Sequence, residues 1–226
     1  LKKDLVANVS HELRTPVTTI KGFIETLKEG AIDDPKNAER FLNIITKHIN
    51  RLNLLIDDLL TLSKLEQKPD EIKTVDENIY SLLRSVAEDY EFKANEKKIT
   101  VNIKCDEKLK ANINKHLLEQ AIGNLVDNAI KYSDKKSEIE LGAEEKDKQL
   151  QIYVKDEGYG ISDDHMPRLF ERFYRVDKGR SREEGGTGLG LAIVKHIINT
   201  MNGIIEVDSK PGKGSKFTVK IPQKYD

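Results

Sequence analysis

Apolar residues at Leu5, Val6, Val9, Leu13, Val17, Ile20, Ile24 and Leu27 recur with the spacing of one helical face and predict a first helix. Gly30 supplies a stop signal, and Ile32-Asp33-Asp34-Pro35 makes a turn. A second helix carries Phe41, Ile44, Ile45, Ile49, Leu52, Leu55, Ile56, Leu59, Leu60 and Leu62 in a broad stripe close to heptad spacing. Two helices alone cannot cover such stripes. A dimer forming a four-helix bundle would cover both, as would packing of the hairpin on the rest of the chain; the length of the stripes favours the dimer.

The pattern changes across the polar segment Glu66–Lys73, which contains Pro69. A helical hairpin domain is therefore expected over 1–66, a linker over 67–74 and a second domain over 75–226. Within that second domain a helix is predicted near Glu77–Glu96, with Ile79, Leu82, Leu83, Val86 and Tyr90 inward. Ile99–Lys104 alternates like a strand, Leu117–Tyr132 is helical, and Ser137–Ala143 and Gln149–Lys155 are strands around a charged turn. Gly188–Asn202 is helical, and Gly203–Asp208 and Ser215–Ile221 form a closing hairpin. Strands mixed with helices, without regular βαβ alternation, predict an α+β sandwich with helices on one face.

Composition narrows the functional classes. Hydrophobic residues make up 37% and charged residues 34% of the 226, with a formal net charge of −1. Such a balance gives no global field for nucleic acid or an acidic membrane. A single cysteine, Cys105, excludes an internal disulfide framework and any multi-cysteine metal site, and it stands in a strand-like run as a small half-buried residue. No apolar run is long enough to cross a bilayer. The chain opens at Leu1 inside a helical pattern, as expected of a fragment of a longer protein whose setting is a reducing cytoplasm.

Against that background Val9-Ser10-His11-Glu12-Leu13-Arg14-Thr15-Pro16 stands out. A helix advances about 100° per residue. His11, two residues from both Val9 and Leu13, therefore points to solvent while they point to the core. Glu12 lies beside it and Thr15 one turn further on the same side. Pro16 lacks the N–H that would bond the Glu12 carbonyl and should kink the helix there. An exposed histidine is by itself decoration, which is the reading given to His48, His116, His165 and His196. His11 differs because a nucleophile, a carboxylate and a proline coincide. A carboxylate can hold the proton of one imidazole nitrogen and leave the other free to attack phosphorus.

Four further signals follow in order. Asn124, Asn128, Lys131 and Tyr132 share one side of a predicted helix. Amide oxygens can ligate Mg²⁺, and a lysine can meet phosphate. Asp156-Glu157-Gly158-Tyr159-Gly160 follows a strand, where an Asp can accept a hydrogen bond from the amino group of adenine. Its glycines would let backbone approach a ligand. Arg168–Arg175 leads into a basic stretch through Lys178, Arg180 and Arg182 that could close over a triphosphate. Gly185-Gly186-Thr187-Gly188-Leu189-Gly190 opens a helix whose N–H groups would face phosphate. No Walker-type loop and no His-Arg-Asp catalytic loop is present in the sequence.

With both constellations in place, the chain resembles the bacterial sensor histidine kinases of two-component systems over essentially its whole length, nearest the phosphate-sensing and cell-wall-sensing kinases. Ser10–Pro16 looks like that family's H box, Asn124–Tyr132 its N box, Asp156–Gly160 its G1 box, Phe170–Arg175 its F box and Gly186–Gly190 its G2 box. The resemblance implies a helical hairpin forming a dimeric four-helix bundle, followed by a Bergerat-type α/β sandwich. It implies ATP and Mg²⁺ as cofactors, a homodimer, and a response regulator receiver domain as partner. It also implies that the chain is the cytoplasmic portion of a membrane-anchored bacterial sensor. Residue by residue, it makes His11 the phosphoacceptor, Glu12 its general base, and Thr15 the residue that aligns water for dephosphorylating the regulator. Asn128 matches the Mg²⁺ ligand, with Asn124 near metal and phosphates. Lys131 and Arg175 would contact phosphate, Arg175 at the transferring γ-phosphoryl group; Tyr132 would pack near the base and Asp156 would read adenine. Gly158, Gly160, Arg172, Gly186, Thr187, Gly188, Leu189 and Gly190 complete the implied nucleotide site. The competing readings are an ATP-driven clamp of the same fold without phosphotransfer, a catalytically silent dimerisation module, and a fragment in which regulator dephosphorylation dominates.

Overall fold

The computed structural model describes residues 2–67, 73–176 and 186–223. The side chains of Leu5 and Val6, Pro69 of the linker, and Lys178, Arg180, Arg182 and Gly185 of the basic stretch lie outside the described residues.

The amino-terminal hairpin consists of α1 (Lys2–Lys28) and α2 (Pro35–Gln67), joined by a 3₁₀ turn at Ala31–Asp33. Gly30 ends α1 at φ 118°, a conformation open to glycine and costly for other residues. Asp34 caps α2, its Oδ1 accepting the Lys36 N–H at 3.0 Å, and Pro35 stands at the first helical position. Pro16 is buried within α1, which runs through it unbroken from Lys2 to Lys28. Along α2 one apolar stripe is covered, with Ile45, Leu55, Leu62 and Leu65 buried. A second stripe, Leu42, Ile49 and Ile56 at heptad spacing, is about half exposed in the single chain, as are Val17 and Ile24 on α1.

The second domain contains β1 (Val75–Asn78), α3 (Ile79–Asp89), α4 (Glu91–Lys97), β2 (Thr100–Cys105), β3 (Lys110–Ile113), α5 (Lys115–Tyr132), β4 (Glu138–Lys146), β5 (Gln149–Asp156), a 3₁₀ segment at Asp163–Arg168, α6 (Gly190–Thr200), β6 (Ile204–Ser209) and β7 (Ser215–Pro222). A five-stranded sheet has the order β2-β4-β5-β7-β6, with β2 parallel to β4 and the other pairs antiparallel. Along β5 and β7 burial alternates, so the sheet offers one face to the helices. Ile139, Leu141, Ile152, Val154 and Val219 line that face against Leu82 and Leu83 of α3, Ile122 and Leu125 of α5, and Ile193 and Ile197 of α6.

Two features depart from the sequence expectation. The single helix expected over Glu77–Glu96 is two, α3 and α4, divided at Tyr90. Tyr90 turns its ring onto Gly123 of α5, where a Cβ would stand 3.2 Å from the ring, and burial pushes its phenol up to about 12. β1 and β3, not foreseen, pair with each other as a separate antiparallel ribbon. Their ends hold the helices: Asn78 accepts the Ser81 N–H and caps α3, and Asn114 accepts the Leu117 N–H and caps α5.

Leu55, Leu62 and Leu65 of α2 belong to the same apolar cluster as the second domain's core. The hairpin is therefore packed on the rest of the chain while a further apolar stripe stays uncovered.

Candidate active site

The site lies where α1 and α2 meet the α6 side of the second domain. His11 has a side chain 71% exposed, as its helical phase predicts. Its Nδ1 is 4.0 Å from Glu12 Oε1. Thr15 Oγ1 donates to the His11 carbonyl at 3.1 Å, which keeps its hydroxyl one turn away along the same side of α1. Glu12, only 15% exposed, receives two arginines on its other oxygen. Arg51 Nη2 of α2 donates to Oε2 at 2.8 Å, and Arg175 Nη2, from the second domain, donates to the same atom at 3.0 Å.

Arg175 is 5% exposed, and its Nη2 also donates to the Thr187 carbonyl at 2.8 Å. Its Nε is buried and makes no hydrogen bond among the described residues. A buried N–H with no such bond is a donor that could serve an anion. The loop around it is tightly shaped. Phe173 has φ 64° and its N–H donates to the Gly188 carbonyl at 2.8 Å; Gly188 itself has φ 76°. A Cβ at Gly188 would sit 2.9 Å from Phe173 Cα, so only glycine fits.

Thr187 accepts the Leu189 N–H on Oγ1 at 3.2 Å and donates the same hydroxyl to Asp58 Oδ2 of α2 at 2.6 Å. Burial pushes the Asp58 carboxyl above its ordinary value, while the Thr187 bond and nearby Lys131 act the other way. Leu189 is fully buried in the core, so only its backbone could meet a ligand. Gly190 begins α6, with its Cβ position 3.4 Å from Asn124 Oδ1, so the glycine-rich turn and α5 adjoin. The first N–H groups of α6 have no partner within the helix, and Gly186 immediately precedes this turn.

On α5, Asn124 and Asn128 are half-buried one turn apart. Lys131 is bound to Asp127 at 2.5 Å, and Lys93 reaches the same carboxylate at 2.9 Å. Burial alone would raise Asp127, but these two ammonium groups outweigh it and hold the carboxyl below its usual value. Lys131 thus already has an anionic partner. Tyr132 is 38% exposed at the end of α5. Arg172 pairs with Glu66 of α2, a second link between the domains.

Asp156, 6% exposed, ends β5. Its Oδ1 accepts the Gly158 N–H at 2.8 Å and the Ser215 N–H at 3.1 Å; Oδ2 accepts none among the described residues. Burial raises its pKa despite these two bonds. A fixed carboxylate with one oxygen unspent suits an amino donor such as that of adenine. Gly158 and Gly160 are required by the protein itself: a Cβ would stand 2.3 Å from the Tyr132 carbonyl at Gly158 and 1.9 Å from the Lys210 carbonyl at Gly160. Neighbouring backbone therefore requires glycine at both positions, whatever ligand they approach.

Arg51 and Asp58 were missed. Both interrupt the covered stripe of α2, in step with Leu55, Leu62 and Leu65. Charged residues on the inward face of an amphipathic helix were the available signal.

Comparison with known proteins settles the family. The His Kinase A (phospho-acceptor) domain matches residues 1–68, and the histidine kinase-, DNA gyrase B- and HSP90-like ATPase domain matches residues 113–225. The chain belongs to the histidine kinases. The sensor protein SrrB of Staphylococcus aureus is 34% identical over 223 residues, 99% of this chain and 38% of its own length. The chain thus spans well under half of the curated relatives it matches. Among solved structures, the histidine kinase ThkA in complex with the response regulator TrrA superposes with a TM-score of 0.80 at 26% identity, covering 98% of this chain and 61% of that one. The Acinetobacter baumannii histidine kinase AdeS gives 0.76 at 26%, covering 95% and 98%. Full-length ShkA in complex with AMPPNP gives 0.72 at 27%, covering 99% and 46%. This chain is a histidine kinase core: a phospho-acceptor helical region joined to a mixed α/β ATPase domain. Among the described residues no helix is long and apolar enough to cross a membrane. The expected kinship with phosphate-sensing kinases in particular finds no support among these relatives.

Proposed function

We propose that the chain transfers the γ-phosphoryl group of ATP to its own His11 and passes it to an aspartate of a response regulator. The observation that carries the reading is Arg175 of the ATPase domain resting on Glu12, beside the exposed His11. The relatives support the ligand classes: ShkA was solved with AMPPNP and ThkA with a response regulator.

In this reading Asp156 holds adenine through Oδ2, and the start of α6 with Thr187 meets the phosphates. A Mg²⁺ ion, held by Asn128 with Asn124 near it, would offset triphosphate charge. Nδ1 of His11 keeps its proton facing Glu12 Oε1, leaving the Nε2 lone pair outward. Nε2 attacks the γ-phosphorus; the N–P bond forms, the bond to the bridging oxygen breaks, and ADP leaves. The unspent Nε–H of Arg175 offsets charge on the transferring group. Oε1 of Glu12 accepts the Nδ1 proton as the imidazole becomes phosphorylated. In the same reading Thr15, bonded back to the His11 carbonyl, aligns a water when the regulator is dephosphorylated. The uncovered stripe of Leu42, Ile49 and Ile56 is the face through which two copies form a four-helix bundle. The whole protein is a bacterial membrane sensor of which this chain forms the cytoplasmic part.

Incubation with γ-labelled ATP and Mg²⁺ tests the reading. A phosphoprotein whose label is lost in acid and kept in base is expected. Release of free phosphate without a phosphoprotein would favour the clamp.

A further inference from the structure

Two guanidinium groups converge on one carboxylate oxygen. Arg51 and Arg175 both donate to Glu12 Oε2, at 2.8 and 3.0 Å, while Oε1 is the oxygen turned toward His11 Nδ1. The two arginines are held by different parts of the molecule. Arg175 belongs to the ATPase domain and has a second task at the phosphoryl group. Arg51 belongs to α2, packed beside α1, and its side chain is 9% exposed.

We infer that Arg51 is a positioning residue for autophosphorylation, anchoring Glu12 by Oε2 so that Oε1 stays on Nδ1 of His11 when Arg175 turns to the γ-phosphoryl group. The inference rests on the reading of Glu12 as the base. Its physical ground is the burial of Glu12. A carboxylate this enclosed needs a cationic partner to hold its place. As the phosphoryl group draws Arg175 away, Glu12 would face an incoming anion with no partner left in that pair. Arg51 prevents this, because its position depends on α1–α2 packing and not on domain docking. Its bond also fixes which oxygen faces the imidazole, which a freely rotating glutamate would not.

The test is a double-mutant cycle on the intact chain, with autophosphorylation followed by γ-labelled ATP. Arg51→Gln is expected to lower kcat about 10- to 100-fold, no more than the low end of the 10²–10⁴ that a positioned general base contributes, because the base itself is kept. KM for ATP is expected to stay unchanged, and Arg51→Lys to recover part of the rate. In a Glu12→Gln background, Arg51→Gln is expected to add no further loss. Equal losses in both backgrounds, or a normal rate for Arg51→Gln beside a slow Glu12→Gln, would overturn the positioning role and leave the base intact. A normal rate for Glu12→Gln would instead overturn the base, and Arg51's role with it. Should Arg51→Gln lose helicity by circular dichroism, Arg51→Lys carries the same test, with kcat lowered and KM unmoved.

Discussion

At the scale of single residues, the site divides into what motif chemistry made legible and what packing alone decides. His11 was legible from its phase between Val9 and Leu13, and Asp156 from its place after a strand. Arg51 was not, because its partner Glu12 lies 39 residues away on another helix. Lys131 was singled out by its spacing as a phosphate contact; its pairing with Asp127, four residues back, was not read. Asp156 carries a prediction. Asp156→Asn removes the charged acceptor from a buried site, and a hydrogen bond to a charged group contributes about 1.5–3 kcal/mol. ATP affinity by calorimetry should fall about tenfold or more. Burial raises the Asp156 carboxyl, so the free protein protonates it more readily than an exposed Asp. This group therefore adds stability to the free protein below the unfolded-state value, a contribution lost as pH rises through the folded value. ATP, which needs the ionised form, should bind more weakly as pH falls from neutrality. Asp156→Asn should lack that share of the pH dependence; an affinity equal to the parent's would refute the adenine role.

Long periodic helices were legible as elements, because two stripes of apolar residues leave few alternatives for α1, α2 and α5. The β1–β3 ribbon was not, since two four-residue strands gain their order only from each other. Nor was the break at Tyr90, which reflects the fit of its ring on Gly123 of a distant helix. Contact between α2 and the turn before α6 rests on Thr187 and Asp58. Burial raises the Asp58 carboxyl, so its stabilising share is present below the unfolded-state value and is lost as pH rises through the folded one. Asp58→Asn keeps an acceptor for Thr187 and removes the buried charge. Relative to the parent, its thermal midpoint should gain on moving from about pH 4 to about pH 7, by up to a few degrees. A relative loss over that range would contradict the account of this contact.

Over the whole molecule, the sequence divided the chain at a polar, proline-containing linker and so implied a loosely joined second domain. The docking of that domain could not be read, because Arg175–Glu12, Arg172–Glu66 and Thr187–Asp58 join residues more than a hundred positions apart. These contacts occur within one chain, which places Arg175 beside that chain's own His11. Transfer is therefore expected within a chain rather than across the dimer. In mixed dimers of His11→Gln chains with Asp156→Asn chains, no phosphoprotein should form beyond the level of either variant alone. Restoration of labelling on mixing would establish transfer across the dimer instead.

The central claim is that His11 takes the γ-phosphoryl group. Its most direct measurement pairs γ-labelled ATP with mapping of the labelled residue in the parent chain and in His11→Gln, with nucleotide affinity measured alongside. The account predicts label on His11 in the parent, none in His11→Gln, and unchanged ATP affinity in both. Label on any other residue, or its persistence in His11→Gln, would contradict it.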